Sequence, residues 1–228
     1  MRLHPTSCAF SLVYLALGLV WLWFAHPPGA LSLELVWLAG VAVAGMLVPG
    51  VANQVSLARA YLAAPAAAYA LAGDLGPLAV TMAVAGLTDL VDGTIARRLE
   101  EPSTFGGGLD PVIDGIFLGA TAVGLAVWGA FPLWLACVVI VRYLLPGVAG
   151  AVLLLAHRPV EIHHTVTGQI STSLILVLFG AIVLLRALNQ DPGNFVTGAE
   201  VVIPIVTLAT FVHLGLTLRR PAREPGRA

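Results

Sequence analysis

The sequence predicts an all-α polytopic membrane protein built as one bundle of spanning helices. The chain is 59% hydrophobic and only 10% charged over 228 residues, which lies far outside the composition of soluble domains. Its apolar runs recur at about the length of a membrane span, and the breaks between them are too short to hold a separate globular unit. The polar side chains able to do chemistry crowd into a few segments, chiefly Asp89 to Asp114.

A helix needs about 20 residues to cross roughly 30 Å of hydrocarbon. On that basis spans are expected near 9–26, 31–48, 56–73, 77–97, 109–128, 132–156, 169–187 and 199–218. The first follows a basic start, MRLHPTSCAF, but lacks the small-x-small cleavage site of a signal peptide, so a retained span is expected. The first two flank His26, Pro27 and Pro28, and either cross the bilayer or form a shallow hairpin. The third is short and alanine-rich. The fourth ends, and the fifth begins, in the aspartate-rich segment. The sixth carries Arg142, the seventh follows a stretch with His157, Arg158 and His163, and the eighth runs into an arginine-rich tail. Residues 1–50 therefore read as an N-terminal hairpin or accessory helices, 51–218 as the main bundle and 219–228 as a basic tail.

All eleven basic residues are arginine, which marks topology as well as lysine does. With the N-terminus inside, an even number of spans places Arg2, Arg97, Arg98, Arg158 and the tail arginines on the cytoplasmic side, with Arg186 the main exception. Asn53 to Arg59, the aspartate segment and His157 to Thr172 then share that face. The turns at the opposite end are short and weakly charged, and read as connections. Cys8 and Cys137 have no pairing or metal-ligand spacing and are expected to pack in the core. Nothing suggests nucleic acid recognition, because there is no basic field or aromatic-basic interleaving.

The informative stretch is DLVDGTIARRLEEPSTFGGGLDPVID. Asp89 and Asp92 are three apart and share a helix face; Asp110 and Asp114 are four apart and do the same on the next helix. If the Arg98 to Gly108 loop makes a tight antiparallel return, the two pairs converge. Four carboxylates in low dielectric repel one another and are expensive to bury without a positive partner. Oxygen ligands with no cysteine cluster suit Mg²⁺ or Mn²⁺, one ion or two. Two such ions can neutralise a diphosphate. Gly93 and Gly106 to Gly108 allow close backbone approach, and Arg97 can grip a phosphate with its planar fork.

The segment resembles the signature of the CDP-alcohol phosphatidyltransferase family: Asp89, Asp92, Gly93, Ala96, Arg97, Gly106, Asp110 and Asp114 stand at every position and spacing of that pattern. The resemblance implies a six-helix catalytic core, here with a two-helix N-terminal extension. It implies that Asp89, Asp92 and Asp110 hold metal, two ions in the family pattern, while Asp114 is both ligand and general base. It implies transfer of a substituted phosphoryl group from a CDP-linked lipid donor to an alcohol, release of CMP, and a homodimer in the cell membrane. Upstream, NQVSLARAYLA is similar to the start of the family's first core helix, so Asn53, Ser56 and Arg59 are expected to line or brace the nucleotide pocket. Downstream, TVTGQIST resembles a Gly-Lys stretch followed by threonine, but Gln169 stands where a lysine is usual.

The acceptor is the open question. Arg142 falls mid-span, where an unpaired guanidinium costs at least about 2.5 kcal/mol on insertion scales. It either pairs with one of the aspartates or binds an acceptor phosphate, which would favour inositol phosphate or glycerol phosphate. Arg158, His163 and Thr172 are further acceptor candidates. Two other classes share the acidic motif: a metal-dependent membrane pyrophosphatase or phosphatase using water, and a metal or proton transporter, which would carry polar positions deeper along several helices.

Overall fold

The structure is a computed structural model that describes residues 5–29, 31–99, 104–155 and 166–218. Residues 92–99, 104–108, 147, 149–155, 166, 167 and 216–218 are described by backbone alone. Eight helices account for nearly all the described residues: α1 (Pro5–Ala25), α2 (Leu31–Leu47), α3 (Val51–Ala72), α4 (Leu75–Leu99), α5 (Thr104–Trp128), α6 (Leu133–Leu155), α7 (Val166–Ala187) and α8 (Gly193–Leu218). Five of them, α1, α3, α5, α7 and α8, contain apolar stretches long enough to cross a membrane, while α2, α4 and α6 contain shorter ones. The chain is a multi-pass membrane protein.

The expected all-α architecture holds, with several helices starting earlier than expected, α1 at Pro5 and α7 at Val166 among them. The third helix starts at Val51 rather than 56, because Gly50 turns the chain and its carbonyl accepts from Gln54 N–H at 3.2 Å. The fifth starts at Thr104 rather than 109, which puts Gly106 to Gly108 inside the helix and shortens the return from α4. The eighth starts at Gly193 rather than 199. There the Asp191 carboxylate accepts from Gly193 N–H at 2.9 Å, satisfying a helix-start donor that hydropathy cannot register. The other end of α3 stops at Gly73, whose φ of 75° is the left-handed conformation that closes helices.

Six helices form a closed ring in the order α3, α5, α6, α8, α7, α4, and α1 and α2 lean together on the outside of α3. The ring is filled by apolar side chains from all six members, among them Leu78, Phe117, Leu125, Leu135, Phe179 and Ile203, each essentially inaccessible. Its outer surface is as apolar as its inside: Leu87, Val127, Val177 and Leu208 are all more than 60% exposed. In water so large an apolar exterior would drive aggregation, whereas in lipid it is the solvated surface. Without a hydrophobic drive between helices in lipid, close packing must hold the ring together. Gly124 on α5 meets α3 so tightly that an added Cβ would stand 2.6 Å from Ala70 Cβ and 3.3 Å from the Ala67 carbonyl oxygen.

The N-terminal pair is fastened to α3 by polar contacts as well as by packing. Trp37 Nε1 donates to the Ala60 carbonyl at 2.9 Å, Trp21 Nε1 to Tyr69 Oη at 2.6 Å, and Gln54 Nε2 to the carbonyls of Gly45 and Val48. One expectation fails here: Cys137 is exposed on the outer face of α6 instead of packing in the core, and Cys8 is only half-buried. Both are small apolar side chains that lipid solvates as readily as a core would.

Candidate active site

Asp89 lies on α4, one turn short of the backbone-only residues, and Asp110 and Asp114 lie one turn apart near the start of α5. Because α4 and α5 both pack against α3, their acidic ends meet over a single side chain of that helix. Arg59 is 3% exposed and donates from Nη1 to Asp89 Oδ1. Its Nε stands 3.2 Å from Asp114 Oδ1 and its Nη2 3.9 Å from Asp110 Oδ1. The carboxylates are less enclosed, at 35% exposure for Asp89, 37% for Asp110 and 14% for Asp114. Helices α4 and α5 therefore bring Asp89, Asp110 and Asp114 to one end of the bundle. Asp92, Gly93, Ala96 and Arg97 occupy the last turns of α4 and Gly106 the first turn of α5, in the stretches described by backbone alone.

Among the described residues, no three acidic, histidine or cysteine side chains form a closed metal cage. The donor chemistry nevertheless fits a divalent cation. Asp110 Oδ1 is buried with no hydrogen-bond donor, and an anionic oxygen left in that state is costly unless a cation meets it. Among the described side chains three carboxylates face one guanidinium, and their hard oxygens are of the kind Mg²⁺ and Mn²⁺ prefer.

Asn53 and Ser56 sit in the first turns of α3 and are both buried. Asn53 Nδ2 donates to the Pro49 carbonyl at 2.7 Å, and Ser56 Oγ to the Ala52 carbonyl at 3.3 Å. Both brace the entry to the helix that carries Arg59. Gln54, which the sequence reading passed over, is the more deeply buried brace at 1% exposure.

A second polar cluster gathers around Arg142 of α6, also 3% exposed. Its Nη1 donates to Thr210 Oγ1 of α8 at 3.1 Å, and its Nη2 to the Gly168 carbonyl and Thr172 Oγ1 of α7 at 3.0 and 3.3 Å. Tyr143 Oη donates to the same Thr172 hydroxyl at 3.1 Å, and Ser171 Oγ lies 3.4 Å from Thr210 Oγ1. Among the described residues Arg142 makes no ion pair, so the aspartate pairing open from sequence is not the arrangement found. Its charge is met by hydroxyls, one carbonyl and the face of the Tyr143 ring at 5.3 Å. The cluster adjoins the acidic site. A Cβ added at Gly115, next to Asp114, would stand 2.7 Å from Tyr143 Cβ.

Thr172 is one member of this cluster, and Tyr143, Ser171 and Thr210 join it without any motif in the sequence to mark them. The available signal was the set of hydroxyl residues interrupting α7 and α8 at helical spacing. Arg158 and His163 lie outside the described residues.

Residues 50–213 match the family model described as CDP-alcohol phosphatidyltransferase. The chain belongs to that family, and the matched region takes in the six-helix ring while leaving α1 and α2 as an N-terminal extension. The relatives are bacterial and archaeal as well as eukaryotic. A cardiolipin synthase (CMP-forming) of Streptomyces coelicolor is 38% identical over 63 residues, 28% of this chain and 29% of its own. A CDP-diacylglycerol–glycerol-3-phosphate 3-phosphatidyltransferase of Bacillus subtilis is 31% identical over 106 residues, 46% of this chain and 54% of its own. An archaetidylinositol phosphate synthase of Methanothermobacter thermautotrophicus is 33% identical over 78 residues, 34% of this chain and 40% of its own. The chain thus spans between about a third and about half the length of these three relatives. No solved structure matches it.

Proposed function

We propose that the protein is a metal-dependent phosphatidyltransferase. It would transfer the phosphatidyl group of CDP-diacylglycerol, or of a related CDP-linked lipid, to an alcohol that carries a phosphate, and release CMP. The observation that carries the reading is the convergence of Asp89, Asp110 and Asp114 within a complete family signature. No other polar grouping among the described residues brings three acidic side chains to one point.

Asp89, Asp92, Asp110 and Asp114 are the residues that would hold Mg²⁺ or Mn²⁺, one ion or two. When bound, the metal supplies positive charge to the diphosphate and to the departing CMP oxygen. Gly93, Ala96, Arg97 and Gly106 form the donor face around the diphosphate, with Asn53 and Ser56 behind it. Asp114 takes the proton of the acceptor hydroxyl as that oxygen attacks the phosphorus bearing the lipid alcohol. Direct attack needs no enzyme nucleophile, and no serine or cysteine beside an activating histidine is present among the described residues.

The phosphate on the acceptor is the part that Arg142 supports. A guanidinium buried among neutral dipoles is costly, and an anionic ligand repays that cost only when it binds. The Bacillus subtilis relative's name gives glycerol 3-phosphate as its acceptor, and the archaeal relative's product bears a phosphate. Gln169 stands where a lysine is usual, and Arg142 donates to the carbonyl of the neighbouring Gly168. Because the arginines mark the cytoplasmic side, the acidic end of the ring faces the cytoplasm, where CDP-linked donors and phosphorylated alcohols are met. The working assembly is a homodimer, as the family resemblance implies.

The test is CMP release from CDP-diacylglycerol by the purified chain in liposomes with Mg²⁺ or Mn²⁺. Glycerol phosphate, inositol phosphate, inositol, serine and water alone are the acceptors, and Asp114→Asn is the control. Release that requires a phosphorylated acceptor and yields the matching lipid, lost in the variant, is expected. Equal release with water alone would replace the transferase with a hydrolase.

A further inference from the structure

Arg59 is placed for a different task from the nucleotide contact that its position in the sequence suggests. Its guanidinium faces carboxylates from two helices, Asp89 on α4 and Asp110 and Asp114 on α5, while almost none of its surface is open to a substrate. A planar fork of five N–H donors can engage several carboxylates at once, and such pairing is what makes a buried guanidinium tolerable. The oxygens it engages, Asp89 Oδ1 and Asp114 Oδ1, belong to the set that a divalent cation would need. A guanidinium and a metal ion cannot both sit at contact distance from the same two oxygens without strong repulsion between them.

We infer that Arg59 is the resident counter-ion of the carboxylate site, competing with the divalent cation for the same oxygens and thereby setting the metal affinity. The inference rests on the metal-dependent reading above. Arg59 is then a positioning residue: it holds mutually repelling carboxylates together between turnovers, and it yields them when the ion enters. The orphaned Asp110 Oδ1, 3.9 Å from Nη2 and without a hydrogen bond, is the oxygen the fork reaches least well and the natural first foothold for the ion. The guanidinium released from the other two becomes a free donor fork beside a site that must bind phosphates.

The test is Mn²⁺ binding to the full chain in nanodiscs at pH 8, read from the paramagnetic resonance signal of free Mn²⁺, with no substrate present. Arg59→Gln should bind Mn²⁺ about tenfold more tightly than the wild type, since a competing unit charge has gone. It should also melt earlier without metal and recover more of that loss when Mn²⁺ is added. Arg59→Lys keeps the charge as a point rather than a fork; it should tighten binding about threefold, and it keeps the inference testable if the glutamine variant does not fold. Equal or weaker Mn²⁺ binding in the variants, with the wild type binding normally, would overturn the counter-ion role and leave the metal-dependent reading standing. No binding by the wild type or any variant would overturn both.

Discussion

Replacing Arg142 with glutamine separates two accounts of a buried cation. In the structure the guanidinium donates to Thr210 Oγ1, the Gly168 carbonyl and Thr172 Oγ1 at 3.0–3.3 Å. Hydrogen bonds between helices in a membrane are worth about 0.6 kcal/mol each, so three contribute about 2 kcal/mol. Inserting the charge costs about 2.5–3.5 kcal/mol on the same kind of scale. The two terms nearly cancel, and glutamine can keep part of the bonding, so the variant should fold with a stability within about 1 kcal/mol of the wild type. An acceptor phosphate placed against Arg142 is another matter. Losing one desolvated, charge-assisted pair costs about 2–3 kcal/mol, or about 30- to 150-fold in kcat/KM. The loss should fall on the KM of a phosphorylated acceptor, leaving the KM of CDP-diacylglycerol unchanged. The assay is CMP release at saturating donor over a titration of glycerol phosphate, with glycerol as the uncharged comparison. An unchanged acceptor KM, or an equal loss with glycerol, would refute the phosphate contact and leave Arg142 a structural residue.

Three further outcomes follow from the same geometry. Gly124→Ala should lower thermal stability by about 1–3 kcal/mol, because the new methyl meets Ala70 and the α3 backbone; detergent melting curves would show it, and an unchanged midpoint would mean that α3 and α5 can separate freely. Gly115→Ala should lower thermal stability, because the new methyl meets Tyr143 Cβ and must push α5 and α6 apart, and it should depress acceptor-dependent turnover more than donor binding, since Tyr143 bonds Thr172; equal effects on both substrates would argue against that route. Chelation of divalent ions should abolish CMP release, with Mg²⁺ or Mn²⁺ restoring it at fixed acceptor; activity that survives chelation would remove the metal from the mechanism.

Much of this molecule is legible in its sequence, for reasons tied to the membrane. Spans must satisfy their own backbone and present apolar side chains to lipid, so eight apolar runs map onto eight helices. The aspartates stand out because acids are so rarely tolerated there. What hydropathy could not fix were helix starts: α3 begins at Val51, just after the turn at Gly50, and α8 at Gly193, whose N–H donates to the Asp191 carboxylate, and a hydropathy average registers neither. Nor could it predict which partner a buried arginine takes. Arg59 and Arg142 look alike in sequence, each a lone cation in an apolar helix. One faces carboxylates brought from α4 and α5, and the other faces hydroxyls brought from α7 and α8. Ring order puts α3 between the two acidic helices, whereas α6 lies between α5 and α8, and the Arg142 side chain turns to Thr210 of α8 and reaches on to Gly168 and Thr172 of α7.

That order also gives the two guanidiniums a joint meaning. Helix α5 packs between α3 and α6, so its segment from Asp110 to Gly115 has Arg59 on one side and the Tyr143 end of the Arg142 cluster on the other. The side chain proposed as general base, Asp114, points at the first and neighbours the second. A phosphoryl transfer joining two anionic substrates needs positive charge on both sides of the attacked phosphorus and a base between them. A single cation at the centre would draw both anions to one place and block the line of attack. Two cations, one compensated by carboxylates and one by neutral groups alone among the described residues, hold unequal residual charge. On the proposed function, the first side would meet the divalent ion and the diphosphate, and the second the phosphate of the acceptor. Exchanging the two environments, by adding an acid at Thr172 or Thr210, should therefore abolish phosphorylated-acceptor use while sparing the Mn²⁺ affinity of the carboxylate site. A Thr210→Asp chain that still transfers to glycerol phosphate with its normal KM would show that the hydroxyl shell does not define the acceptor side.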